Sequence, residues 1–123
     1  MTYKIAVLAE SAFIPEQSSP EQQHYFFAYS IQIKNVGSVP ARLLSRHWII
    51  TDGNDQVSEV KGDGVVGEQP RLEPGETFEY SSAAAIKTPR GSMEGSYQLV
   101  ADDGEEFEAE IPKFDLDAHR ALH

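Results

Sequence analysis

Period-two alternation of apolar and polar residues, turn-forming residues between the alternating runs, and no run of helical periodicity predict an all-β fold. The number of such runs points to a two-sheet antiparallel β-sandwich of about seven strands. With 123 residues, the chain is expected to form a single domain over residues 1–123, without an internal repeat.

The alternation is clearest in two places. Tyr25, Phe27, Tyr29, Ile31 and Ile33 share one parity while Ala28, Ser30, Gln32 and Lys34 take the other, giving a long half-buried strand that Asn35-Val36-Gly37 breaks. Later, Phe107, Ala109 and Ile111 interleave with Glu106, Glu108 and Glu110, so the apolar set faces inward and the glutamates face water. Further strands are predicted over residues 3–9, 42–51, 56–61, 77–82 and 96–101, each bounded by Gly, Pro, Asn or Asp. Asp52-Gly53 and Asp103-Gly104 suit tight hairpins, and Pro74-Gly75 suits a type II turn with positive φ at its third residue. Trp48, the one tryptophan, lies within an apolar run and is expected as an aromatic anchor between the sheets. Residues 15–23 read as an exposed connection and residues 116–123 as a fraying tail.

Composition narrows the function classes. Twenty acidic against 10 basic residues give a formal charge of −10, which disfavours nucleic acid and anionic membrane as partners. The chain has no cysteine, so disulfides, thiolate chemistry and cysteine-ligated zinc are excluded. The only apolar run near the start, Ile5 to Ala9, is too short for a secretion signal or a membrane span, and a cytoplasmic location is expected.

One string carries a functional pattern: Gly62-Asp63-Gly64-Val65-Val66-Gly67 matches G-x-G-x-x-G, and Gly62, Gly64 and Gly67 are the candidate anion- or nucleotide-binding residues. In dinucleotide folds a helix N-terminus follows such a loop and supplies free N–H groups. Here Glu68-Gln69-Pro70 and then Pro74-Gly75 leave no room for a helix, and Asp63 and Glu68 would repel an anion. The pattern therefore reads as a loop or bulge whose backbone needs glycine, with Arg46, Lys61 or Arg71 as the charge partners an anion would require. His24, His47, His119 and His123 are scattered along the chain and read as surface or core residues, not as ligands. The acidic groups Asp52, Asn54, Asp55 and Asp102, Asp103, Glu105, Glu106 fit hairpin tips and lack the calcium-loop pattern. No nucleophile elbow is present, and Ser81-Ser82 with His47 is a set of residue types without a motif, so no catalytic residue, metal site or cofactor is assigned.

Taken together in order, the strings from Tyr29 to Asn35, from Arg46 to Asp52, from Gly62 to Pro70 and from Pro74 to Glu76 resemble the ApaG family. Thr88-Pro89, the run from Gly91 to Tyr97, and Ile111-Pro112-Lys113-Phe114 extend the likeness over nearly the whole chain. The resemblance implies a fibronectin type III-like, hence immunoglobulin-like, sandwich. It implies a role linked to cobalt tolerance and magnesium efflux, and protein contacts in larger eukaryotic relatives, without implying a reaction. The family's glycine motif maps onto Gly62, Gly64 and Gly67, while Ala83-Ala84-Ala85 stands where the family tends to have a glycine. The resulting expectation is a non-enzymatic protein-interaction module with an unidentified protein partner, and a homodimer through a strand edge is a further expectation. The alternative is a small-ligand, nucleotide or pyrophosphate-binding protein that uses the glycine loop with a divalent cation.

Overall fold

A computed structural model describes residues 1–119 of the chain. The strands are β1 (Ile5–Phe13), β2 (Tyr25–Asn35), β3 (Ala41–Asp52), β4 (Val57–Asp63), β5 (Arg71–Leu72), β6 (Thr77–Ile86), β7 (Arg90–Ala101) and β8 (Glu106–Asp117). They form two antiparallel sheets, a narrow one in the order β1-β2-β6 and a wide one in the order β4-β3-β7-β8, with β5 also paired to β3. The predicted sandwich is therefore present, with one strand more than the alternation suggests, because β5 is only two residues long. The connection over residues 15–23 carries two single 3-10 turns, Pro15–Gln17 and Pro20–Gln22, without a buried residue in either.

Parity decides the core. Phe27, Tyr29, Ile31 and Ile33 are buried along β2, and Ser30, Gln32 and Lys34 are exposed, as the alternation requires. Trp48 is 2% exposed and stands edge-on to Tyr29 of the facing sheet, with ring centroids 5.4 Å apart, and to Phe114 at 5.9 Å. Its indole Nε1 is buried without an acceptor. A second bridge between the sheets is a pair of hydroxyls, Tyr80 on β6 and Tyr97 on β7, 2.6 Å apart.

Two irregularities explain where alternation misleads. The β3–β7 ladder shifts register between Leu43 and Ser45, so Leu44 is an extra residue on β3. The β7–β8 ladder shifts between Met93 and Gly95, opposite Pro112, which has no N–H to offer a ladder. Past that bulge the inward parity of β8 changes from Phe107, Ala109 and Ile111 to Phe114 and Leu116. The expected tail is thereby corrected: β8 continues to Asp117, and Leu116 is fully buried opposite Gly91. Residues 120–123 lie outside the described residues.

The turns follow their residues with one correction. Glu76 N donates to Glu73 O and Gly75 has φ 91°, the type II turn predicted for Pro74-Gly75. At Asp103-Gly104, Ala101 N donates to Glu105 O and Gly104 takes φ 91° as the third loop residue. The β3–β4 turn has the same three-residue form, with Asp52 N donating to Gln56 O, but its left-handed residue is Asp55 (φ 61°) and not Gly53. The carboxylate of Asp52 accepts from the backbone of Asn54 and Gln56 and holds that turn.

Replacing Trp48 by Ala is expected to cost about 3–5 kcal/mol, read as a lower urea midpoint at unchanged slope. An alkaline titration checks the hydroxyl pair. Burial raises both tyrosines, Tyr80 to about 12, and Tyr97 is raised further by the neighbouring Tyr80. A group whose folded pKa lies above its unfolded value of 10.0 stabilises fully below that pH and loses its contribution as pH rises toward 12. Stability is accordingly expected to fall through that window, together with late tyrosinate absorbance, and Tyr97→Phe is expected to flatten the fall.

Candidate functional site

The glycine motif spans the end of β4 and a hairpin-like excursion that returns to the same edge of β3. β4 pairs with β3 as far as Asp63, and β5 rejoins it at Ala41 and Arg42, so residues 64–70 bridge two segments of one strand edge. The extra residue Leu44 anchors this excursion: its carbonyl accepts from Gly64 N at 2.8 Å and from Gln69 Nε2 at 2.9 Å. Leu43 N donates to Pro70 O, and Arg42 Nη1 donates to Gln69 O. Val65 is fully buried and plugs the loop into the core.

At the tip, Val65 N donates to Glu68 O and Glu68 N donates back to Val65 O, closing a two-residue turn over Val66 and Gly67. Both carry positive φ, 44° and 80°, the signature of a type I′ turn. Gly64 also has positive φ, 63°, and a Cβ there would collide with the carbonyl oxygen of Glu68. Gly62 serves another purpose. The guanidinium of Arg46 lies against it, where a Cβ would meet Nη2 at 2.8 Å, and Arg46 Nη1 donates to Asp63 O at 3.0 Å and Gly64 O at 2.9 Å. Each glycine of the pattern thus answers a local demand of the fold, Gly64 and Gly67 through the backbone and Gly62 through the Arg46 side chain. The amides of Gly64, Val65 and Glu68 are spent within the protein and do not converge on an open space.

The outer face of the wide sheet carries a cavity of about 470 Å³ beside Gly62, lined among others by Ser45, His47, Lys61, Gln98 and Glu108. Ser45 Oγ donates to Gln98 Oε1 at 2.8 Å, and Gln98 Nε2 donates to Ser96 Oγ at 2.8 Å. His47 Nε2 lies 3.6 Å from Glu59 Oε1 and has no hydrogen-bond partner. Charges of both signs share this wall, a weak arrangement for any one class of ion.

Of the three cations considered for the loop, Arg46 touches it through carbonyls and Lys61 lines the adjoining cavity. Arg71 is engaged elsewhere, with Asp102 and Glu73, and it holds the Asp102 carboxyl below the usual carboxylate range. Asp103 is held low in the same way, chiefly by the Tyr3 hydroxyl. Ser81 and Ser82 lie on β6 of the narrow sheet and His47 on β3 of the wide one, and Ser81 Oγ is 3.2 Å from Ser30 Oγ. Two features escape the sequence: the Arg46–Gly62 apposition, which needs the β3–β4 register, and the exposure of Val66 (60%) in a left-handed conformation.

A family model described as the ApaG domain matches residues 15–101. Proteins named Protein ApaG from Dechloromonas aromatica and Thiobacillus denitrificans are each 60% identical over 121 residues, which is 98% of this chain and 95% of each relative. A crystal structure of an ApaA protein from Bordetella pertussis superposes with a TM-score of 0.91 at 52% identity, over 94% of each chain.

The loop geometry gives opposite expectations for two exchanges. Gly64→Ala places a side chain at positive φ against the Glu68 carbonyl and is expected to destabilise by more than about 1 kcal/mol. Val66→Asn relieves a β-branched residue from a left-handed turn position and is expected to stabilise by about 1 kcal/mol. Thermal unfolding of both variants checks the pair.

Proposed function

We propose that this chain, which belongs to the ApaG family, is a non-enzymatic protein-interaction module whose partner is another protein. The observation that carries the reading is a group of exposed valines along one edge, while Met1, Leu8 and Val36 are exposed at the start of the chain, on β1 and just after β2. Val57 (61% exposed), Val60 (41%) and Val66 (60%) all lie on β4 and the turn that follows it. Apolar side chains on an open strand edge are a feature of contact surfaces.

The side chains of catalytic type also favour a binding role, since His47 and the Ser81-Ser82 pair belong to different sheets. A link to cobalt tolerance and magnesium efflux, as the family resemblance implies, would on this reading run through a protein contact. Asp52, Asp102 and Asp103 are each engaged, by a turn backbone, an arginine and a tyrosine respectively. A cytoplasmic setting belongs to the same proposal and suits a chain without cysteine. No helix among the described residues is long and apolar enough to cross a membrane.

A photo-crosslinking residue at position 60 is expected to give a discrete protein adduct in cells, and one at position 106, on the acidic outer face, is expected to give none. The rival reading, nucleotide or pyrophosphate held by Gly62, Gly64 and Gly67 with a divalent cation, is tested by titrating ATP and GTP with and without magnesium. The spent amides and the adjoining Asp63 and Glu68 lead to an expected Kd weaker than about 100 μM. Saturable micromolar binding that Gly64→Ala abolishes in a folded protein would instead establish the rival.

A further inference from the structure

The two sheets do not end together. On one side they meet, where Ser11 Oγ of β1 donates to Asp115 O of β8 at 2.6 Å. On the other, the narrow sheet stops at β6 while the wide sheet continues past β3 to β4. Val60 pairs with Trp48 and so shares its inward parity, yet Val60 is 41% exposed where Trp48 is 2% exposed. The inner face of β4 therefore overhangs an unfilled strand position beside β6.

The backbone of β6 is ready for that position. Asn35 N donates to Glu76 O, and this phase, carried along the β2–β6 register, commits Phe78, Tyr80, Ser82, Ala84 and Ile86 to β2. Thr77, Glu79, Ser81, Ala83 and Ala85 turn their N–H and C=O groups to the open side. From Tyr80 to Ile86 the edge has no charge, proline or glycine, the devices that normally guard one.

Both ends of the slot have chemistry. Near the end of β6 a cavity of about 280 Å³ opens between Ile50 and Val57 on one side and Ala85 and Ile86 on the other, with Asp52, Gln56, Ser58 and Lys87 also in its lining. Toward the other end lies Arg46, whose charge is felt by the hydroxyls of Tyr80 and Tyr97. Arg46 contacts loop carbonyls and is absent from the ion pairs among the described residues. It is a half-buried cation without a carboxylate, in a chain of net charge −10.

We propose that an extended peptide segment of a partner protein adds to β6 as a fourth strand of the narrow sheet, beneath β4, with an apolar side chain in the Ile50–Val57–Ile86 cavity and a carboxylate on Arg46. This deepens the interaction-module reading and rests on it. Tyr80 and Ile86 are six positions apart on one face of β6, roughly 20 Å at strand rise. The acidic and apolar anchors of the segment accordingly fall about six positions apart on one face. A second copy pairing β6 to β6 fits less well, because each copy's overhanging β4 would enter the space that the other copy's wide sheet occupies.

The test is selection of random dodecapeptides displayed on phage against the intact protein, followed by fluorescence anisotropy with the enriched peptide made synthetically. The expected peptides alternate apolar residues and carry one Asp or Glu, whose amide counterpart weakens binding about tenfold. Ala83→Pro removes an N–H that faces the open side and leaves the bonds to β2 intact; it is expected to weaken binding at least about tenfold. Val60→Asp, at an exposed position, puts a competing carboxylate into the slot and is expected to do the same, so the test stands even where the proline variant fails to fold. Tight peptide binding that neither exchange alters would overturn strand addition while leaving the interaction module standing. Failure to enrich any peptide would also overturn it, while the position-60 crosslink judges the broader reading independently. A concentration-dependent dimer in sedimentation, abolished by Ala83→Pro, would overturn the peptide as occupant in favour of a second copy.

Discussion

Asn35 ends β2 with its side chain 1% exposed, and its carboxamide is used at both ends. Nδ2 donates to the carbonyls of Val39 and Leu72, and Oδ1 accepts from the N–H of Gly37. Its backbone donates to Glu76 and accepts from Gly75. A buried amide left without partners costs about 1–3 kcal/mol per group, so this set holds together or fails together. Through Leu72 it pins β5, which has only two residue pairs of its own with β3. Through Gly75 and Glu76 it determines where the chain crosses from the wide sheet to the narrow one. The phase of β6 follows from that crossing, and with it the five residues whose backbone faces the open side.

The same pinning shapes the glycine loop. β4 and β5 must lie along one edge of β3, and the extra residue Leu44 supplies the carbonyl that ties both ends of the intervening excursion. A buried Val65 and the arginine beneath Gly62 complete the attachment. The loop is thus rigid for reasons internal to the fold, and Arg46, held by its carbonyls, is presented to the gap between the sheets as a consequence. The outward row Glu106, Glu108 and Glu110 lies on β8, on the outer face of the wide sheet. An acidic segment approaching Arg46 from the β4–β6 side avoids that row.

Much of the fold was legible because a half-buried strand writes its own period. The inward set of β2 and the Glu106–Ile111 alternation follow from parity alone, and the buried Trp48 from its place in an apolar run. What alternation conceals are the changes of parity. Leu116 looks like part of a polar tail until the Pro112 bulge turns the following residues over. β5 is too short to show a period, and Asp55 takes the left-handed place that Gly53 advertises. The site was less legible still, since an edge is defined by what is missing beside it. Ala83 and Ala85 read as ordinary strand residues, and their unpaired backbone becomes visible only through the β2–β6 register.

The G-x-G-x-x-G spacing shows why a motif needs its context. In a dinucleotide site the three glycines serve one purpose, bringing backbone and helix N-terminus against a pyrophosphate. Here the same spacing arises from three separate demands. Gly62 gives the Arg46 guanidinium a flat surface, Gly64 turns the chain out of the ladder at positive φ, and Gly67 is the second residue of the tip turn. Because Gly64, Val65 and Glu68 donate their N–H groups within the protein, an anion that drew on those three would have to displace bonds that hold the fold. A strand added at β6 displaces nothing, since the backbone groups it would meet are turned toward solvent. That asymmetry in what must be broken makes the neighbouring edge, and not the glycine pattern itself, the favoured place for a partner.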